Sequence, residues 1–312
     1  MEAVSELVRD NYFFVTFFLF LFGACVGSFL NVCIARMPEE GMSIIKPGSR
    51  CPHCAEPVRW YDNLPILSYI ILKGKCRSCR KPISPQYLIV EALTGYLFVE
   101  YFILFGFSVE YFFYLTFTCL LLVSTWVDFK WQIIPDETNF FGMIVAVIAS
   151  FIWPSLHGTD HHLGGLGYAF LGLLVGGGLI YLIGLYGEFR FKKEAMGGGD
   201  VKLMAMIGAF LGWKLAVLTF FLAPFLGAVI GLYAKFIKKE EIIPYGPFLS
   251  FGALISLFAG DKIIRQLFGD TDIPLWYMLL FVGLIICGAL IEWVLVSFVK
   301  RLMKKNKGEE EE

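Results

Sequence analysis

The chain has 312 residues, of which 57% are hydrophobic and only 17% charged, with a mean hydropathy of +0.69. A soluble domain carries about 25% charge, so a soluble globular enzyme is excluded and a membrane protein expected. The net charge of −1 gives no footing for a nucleic-acid partner, and none is expected.

The apolar residues come in long runs, and a helix needs roughly 20 of them to cross the hydrocarbon core. In chain order the expected spans are Tyr12–Ile34, Tyr87–Gly106, Ser108–Val127, Asn139–Trp153, Gly165–Tyr186, Leu215–Phe236, Tyr245–Ala259 and Leu275–Phe298. Val201–Trp213 is apolar but short. It reads as a ninth span, part of a hairpin, or a half-helix buried against the others. The first run is expected to stay as a transmembrane helix. Glu2, Glu6, Arg9 and Asp10 precede it, and no small-residue cleavage site follows.

The fold class is therefore an all-α membrane protein: a polytopic helical bundle of eight to nine spans with a small cytoplasmic, zinc-ribbon-like insertion. Four regions are expected: residues 1–36 as the first transmembrane helix, 37–86 as the four-cysteine module, 87–300 as the membrane bundle, and 301–312 as a charged cytoplasmic tail. Lys and Arg gather on cytoplasmic loops. They cluster in Arg36–Pro85, at Arg190, Lys192 and Lys193, at Lys235, Lys238 and Lys239, and in the tail. A nine-crossing chain puts all four clusters inside and the N-terminus outside.

Eight cysteines are present. Cys25, Cys33, Cys119 and Cys287 lie in apolar runs, where a free thiol acts as a small hydrophobe. The other four form Cys51-Pro-His-Cys54 and Cys76-Arg-Ser-Cys79. Two such knuckles supply four thiolates to one tetrahedral structural zinc; two redox pairs are the alternative. A module of this size with few large apolar residues needs such a staple. Between the knuckles, Trp60–Leu72 reads as an amphipathic stretch. It lies on the lipid headgroups or packs the module against the bundle.

Acids at span ends are costly and usually functional. Asp128 follows Ser124-Thr-Trp-Val127, and Asp200 follows three glycines, Gly197 to Gly199. On the topology above, both sit at cytoplasmic ends and can meet at one depth. Two carboxylates sharing a proton make an aspartic-peptidase dyad. A helix cap is the ordinary reading of Asp200; Asp136 is a rival for either role, and capping before the next span explains it equally well. Glu91, a few residues into a span, needs a polar partner; Lys202 has an acid or a lipid phosphate as its partner.

Several fragments occur in a specific order: Gly27-Ser-Phe-Leu-Asn-Val32, the two knuckles, Asn63-Leu-Pro-Ile-Leu-Ser68, Val90-Glu-Ala-Leu-Thr-Gly95, Ile134-Pro-Asp136, Gly197-Gly-Gly-Asp-Val-Lys-Leu203 and Pro244-Tyr-Gly-Pro-Phe248. Together they resemble the bacterial type IV prepilin peptidases, also called leader peptidase/N-methyltransferases, over most of the chain. The resemblance implies Asp128 and Asp200 as the catalytic pair of an aspartic endopeptidase in the inner membrane. Its substrates are prepilin and pseudopilin precursors, cut on the cytoplasmic side. It further implies N-methylation of the new N-terminus with S-adenosylmethionine, associated with the N-terminal part. Gly74, Lys75 and Glu91 are the candidate methyl-transfer positions. Membrane lipid is the other expected partner, and Cys51, Cys54, Cys76 and Cys79 are the expected zinc ligands. Three rival readings are another kind of intramembrane aspartic peptidase, a transporter with ion-binding acids, and a methyltransferase alone.

Overall fold

The computed structural model describes residues 11–39, 41–192, 196–237 and 244–268. The expected span Leu275–Phe298 and the tail 301–312 lie outside the described residues. The chain divides into two compact units, Met1–Phe258 and Ala259–Glu312. Of the second, the described part is the end of one helix.

The described residues form eight α-helices: α1 (Tyr12–Arg36), α2 (Leu67–Ile71), α3 (Pro85–Phe105), α4 (Val109–Trp131), α5 (Asp136–Ile152), α6 (His162–Phe191), α7 (Gly198–Ile237) and α8 (Gly246–Phe268). Six of them are long and apolar enough to cross a membrane: α1, α3, α4, α6, α7 and α8. The protein is thus a multi-pass, all-helical membrane protein. Expected and observed helices coincide to within about five residues, except that α8 runs nine residues past the expected end at Ala259.

Local chemistry sets the boundaries. Ser84 caps α3 by accepting the Gln86 N–H, with Pro85 at the first helical position. Ser108 caps α4 through the Tyr111 N–H. The same helix stops at Gln132, whose left-handed backbone returns its N–H to the Asp128 carbonyl. Helix α5 starts behind Pro135 with Asp136 and Glu137 in its first turn, the favourable end for acids. At 17 residues it spans about 26 Å, slightly less than a typical hydrocarbon core.

The short apolar segment Val201–Trp213 resolves into a hairpin leg. Helix α7 is broken at Gly212, at φ 77° and ψ 168°, which favours a residue without Cβ. Asp200 begins the first leg, and Gly212 lies beside His157 in the loop between α5 and α6. On the second leg, Thr219 Oγ1 donates to Ser256 Oγ at 2.9 Å. Further on, Gly227 packs against the Phe248 ring, near the start of α8. The second leg therefore runs back toward the end where Asp200 lies. Residues 198–211 and 213–237 are two antiparallel legs, and the hairpin alternative is the one realised.

Close helix contact rests on small residues, as is common inside membranes. A Cβ added at Gly172 of α6 would sit 2.0 Å from the Gly208 carbonyl oxygen on α7, and one at Gly208 equally close to that of Gly172. On the other side, a Cβ at Gly27 of α1 would meet the Glu91 backbone of α3 at 2.8 Å. Phe13, Phe14, Phe18 and Phe22 of α1 point outward, as lipid-facing side chains do. The α7 window is 72% buried, against 22% for α1. The element carrying Asp200 is thus the central one.

Candidate active site and cysteine cluster

Asp128 sits in the last turn of α4 and is buried. Its Oδ2 accepts the Gly246 backbone N–H at 2.9 Å, across 118 positions of sequence. An N–H aimed at one carboxyl oxygen favours the ionised form at that oxygen. Asp200, in the first turn of α7, is half-buried and lies within the electrostatic field of Asp128. The two acids thus stand near enough to act on each other electrostatically, one in the last turn of its helix and the other in the first turn of its own.

What packs around them explains the glycines. A Cβ at Gly246 would stand 2.7 Å from Asp128 Oδ2. Ile134, from the α4–α5 connection, closes on both acids' flanks. Its Cβ would be 3.1 Å from a Cβ at Gly199, and its Cδ1 3.1 Å from one at Gly246. Tyr245 completes the surround. Burial, and then the charge of Asp200, push its phenol well above the usual tyrosine range, so it stays a neutral O–H. Tyr245 also anchors α8, its carbonyl accepting the N–H groups of Phe248 and Leu249.

The rival acid is engaged elsewhere. Asp136 is exposed and ion-paired with Lys202, at 2.6 and 2.7 Å to its two oxygens. Lys202 also lies over the Phe140 ring.

Cys51, Cys54, Cys76 and Cys79 form one cluster, with their four sulfurs all within 4.8 Å of one another. Sulfurs about 2.3 Å from a tetrahedral zinc are about 3.8 Å apart, and Cys51 and Cys79 stand at 3.9 Å. The two knuckles have the same backbone build. Cys51 N–H donates to the Glu56 carbonyl and Ala55 N–H to that of Cys51; Cys76 donates to Lys81 and Arg80 to Cys76. The residues after each pair, Ala55 and Arg80, are both left-handed. N–H groups of Cys79 and Ser78 aimed at the Cys76 sulfur bring its pKa down to about 7, which favours the ligating thiolate. The donor set and its spacing fit zinc.

Two attachments hold this module to the bundle. Arg36, at the end of α1, donates to the carbonyls of Ser43 and Pro47, the latter at 2.7 Å. Glu91, buried in α3, accepts the Ile66 N–H at 2.8 Å and a hydrogen bond from Ser28. Within the module, Arg77 grips Asp62 through two nitrogens and holds its carboxyl below the usual range.

The candidate methyl-transfer residues each have a local structural contact. Gly74 makes the left-handed turn into the second knuckle, and Lys75 bridges to Pro82. No hydrogen bond or ion pair joins either to Glu91 among the described residues. Sequence reasoning missed the roles of Gly246, Tyr245 and Ile134. Only the family resemblance marked Ile134-Pro-Asp136 and Pro244-Tyr-Gly-Pro-Phe248, and nothing local says which acid they meet.

The N-terminal part matches the family described as Bacterial Peptidase A24 N-terminal domain over residues 21–105, and the remainder matches the Type IV leader peptidase family over residues 115–232. A prepilin leader peptidase/N-methyltransferase of Aeromonas hydrophila is 30% identical over 297 residues, covering 85% of this chain and 98% of its own. The chain belongs to the type IV leader peptidase family. A protein of the same name from Stutzerimonas stutzeri is 33% identical over 84% of this chain and 96% of its own. The Myxococcus xanthus protein of that name is 39% identical over 69% of this chain and 62% of its own. No solved structure gives a significant match. The first family region ends with α3 and the second begins inside α4. The leader peptidase region thus holds both acids, and the N-terminal region holds the cysteine cluster.

Proposed function

We propose that this chain is a membrane aspartic endopeptidase that removes the leader of type IV prepilins and pseudopilins at the cytoplasmic membrane face. Membership of the family supports the substrate class, and the paired acids support the chemistry. The observation that carries the reading is the buried Asp128 carboxylate, fixed by the Gly246 N–H and within the field of Asp200.

In the proposed step, Asp128 and Asp200 share one proton. The ionised partner takes a proton from water as the water oxygen attacks the scissile carbonyl carbon. The protonated partner donates to the carbonyl oxygen, giving a tetrahedral diol. Collapse breaks the C–N bond, and the departing amine takes up a proton from the dyad. The Gly246 N–H keeps Oδ2 of Asp128 an acceptor throughout, which leaves Oδ1 and Asp200 for the shared proton. Neutral Tyr245 stands by as a donor toward the same region.

Orientation follows from charge. Basic residues at Arg36, Arg190 and the cysteine module all lie at the end of the bundle that bears the two acids, the expected cytoplasmic side of an inner membrane. A zinc ion held by Cys51, Cys54, Cys76 and Cys79 would have all four positions filled by thiolate. It would supply folding energy to the module and leave no site for water.

N-methylation of the new N-terminal residue belongs to this reading through the named activity of the relatives. Residues 37–86 are its proposed seat, beside a peptidase bundle in 87–300. Gly74, Lys75 and Glu91 remain its proposed residues, each also with a structural contact of its own.

The test is cleavage of a purified prepilin, read by mass spectrometry with S-adenosylmethionine present. Wild type should remove the leader and add one methyl mass. Asp128→Asn and Asp200→Asn should each slow cleavage by about 10²–10⁴-fold, the usual loss with general acid–base catalysis. Near wild-type cleavage by either variant would break the dyad. A wild type that cuts no prepilin would sink the substrate assignment.

A further inference from the structure

The zinc module carries an apolar face for which the bundle offers no cover. Trp60, Leu67, Ile70 and Ile71 are exposed by 79, 54, 61 and 71%. They lie on the 3-10 turn Trp60–Asn63 and on α2. The opposite side of the same segment is inward. Ser68 is buried and donates to the carbonyls of Leu64 and Tyr61.

The depth of this segment is set by Glu91. That carboxylate holds the Ile66 N–H at 2.8 Å. It lies six residues past the start of α3 at Pro85, about 9 Å along the helix axis. The Leu64–Ile71 stretch is therefore pinned beside the first turns of a membrane span, not out in open solvent. At that level of α3, Ile89 and Leu93, on the side of the helix turned away from Glu91, are exposed and apolar, so this depth of the span is one at which side chains meet lipid. Both ends of the segment are cationic: Arg59 precedes Trp60 and Lys73 follows Leu72, each exposed. An apolar face between cations, at the edge of a bilayer, matches an interfacial element.

We propose that Trp60–Leu72 is a membrane-interface anchor. It seats the zinc module in the headgroup region, with Trp60, Leu67, Ile70 and Ile71 at the acyl boundary and Arg59 and Lys73 at lipid phosphates. Tryptophan is the side chain that best suits such a boundary. The anchor would hold the module against the membrane surface beside the two acids. This inference does not depend on the peptidase reading, and its test involves no cleavage.

The full chain is placed in nanodiscs of anionic and zwitterionic phospholipid, with either ordinary or brominated acyl chains. The emission of Trp60 is taken as the difference between wild type and Trp60→Phe, with zinc content and helical circular dichroism matched. Quenching of that component at least two-fold by brominated lipid, with protection from aqueous iodide, is the expected result. Quenching by iodide and indifference to bromination would overturn the anchor. Iodide protection that appears only on adding a prepilin would also overturn it, and would make the face a protein dock. Ile71→Trp, read against wild type in the same way, gives an independent reporter should Trp60→Phe alter the fold.

Discussion

At Gly246, a single methyl group would stand 2.7 Å from Asp128 Oδ2 and 3.1 Å from Ile134 Cδ1. Neither neighbour is free to retreat, because the carboxylate is held by the amide of the same residue and Ile134 is wedged against Gly199. Gly246→Ala is expected to shift the acid by a fraction of an ångström and lower kcat for prepilin cleavage by about 10²-fold, as misplacement of this order does. The KM should change little. A purely structural effect would instead lower the melting temperature and leave kcat per folded enzyme unchanged. Asp136 gives the contrast. Its partner is Lys202 in an exposed pair, which contributes at most about 1 kcal/mol. Asp136→Asn should therefore keep cleavage within a few-fold of wild type in the same assay.

His157 makes a pH prediction at the opposite end of the bundle. Burial pushes its pKa down from 6.5 to about 4. Its Nε2 meets Ser150 Oγ at 2.8 Å, its ring stacks on Tyr168, and Gly212 closes the other side. A histidine kept neutral in the fold binds its proton more readily when unfolded, so stability rises with pH between the two values. Its contribution is intact above about 6.5 and erodes as pH falls toward about 4. Thermal melts across that window should show a shallower pH slope for His157→Gln than for wild type, whatever the variant's absolute stability.

Among the elements, the α6–α7 contact is the tightest described. Gly172 and Gly208 face each other with no room for a Cβ on either. Overpacking of this kind costs about 1–3 kcal/mol where neighbours can shift, and here the obstacle is backbone. Gly208→Ala is expected to lower the melting temperature in detergent by several degrees, and Gly208→Leu to prevent a folded product, as read by size-exclusion profile. The cysteine module behaves as a separate element. Its large apolar side chains are mostly exposed, so its order would depend on a zinc held by the four cysteines and on Arg36 and Glu91. Structural zinc contributes about 10–16 kcal/mol to isolated modules. Chelation, or Cys51→Ser, should therefore expose residues 41–84 to limited proteolysis while helical circular dichroism of the bundle persists.

Across the whole molecule, the helices were legible in the sequence because hydropathy in a bilayer is a one-dimensional signal. A span must satisfy its own backbone, so length and apolarity nearly define it. The four cysteines were legible for a related reason, since knuckle spacing is a local property. Asp128 and Asp200 were legible as unusual acids at span ends. Their meeting was inferred from topology alone, and the packing bears on it through Gly246, Tyr245 and Ile134. The segment Val201–Trp213 was ambiguous because hydropathy does not register a reversal made at one glycine. The left-handed backbone of Gly212 and the Thr219–Ser256 contact decide it.

The amino-acid sequence by itself determined the membrane class, the order and extent of the helices, the zinc-type cysteine spacing and the two acids. Each depends on composition or on neighbours a few residues away. Only the tertiary structure decided that the Gly246 amide holds Asp128, that Asp136 belongs to Lys202, and that Glu91 holds the module loop at Ile66. Those pairings join residues 25 to 118 positions apart. Hydrogen bonds over such separations leave no local pattern, since they depend on which helix faces come together.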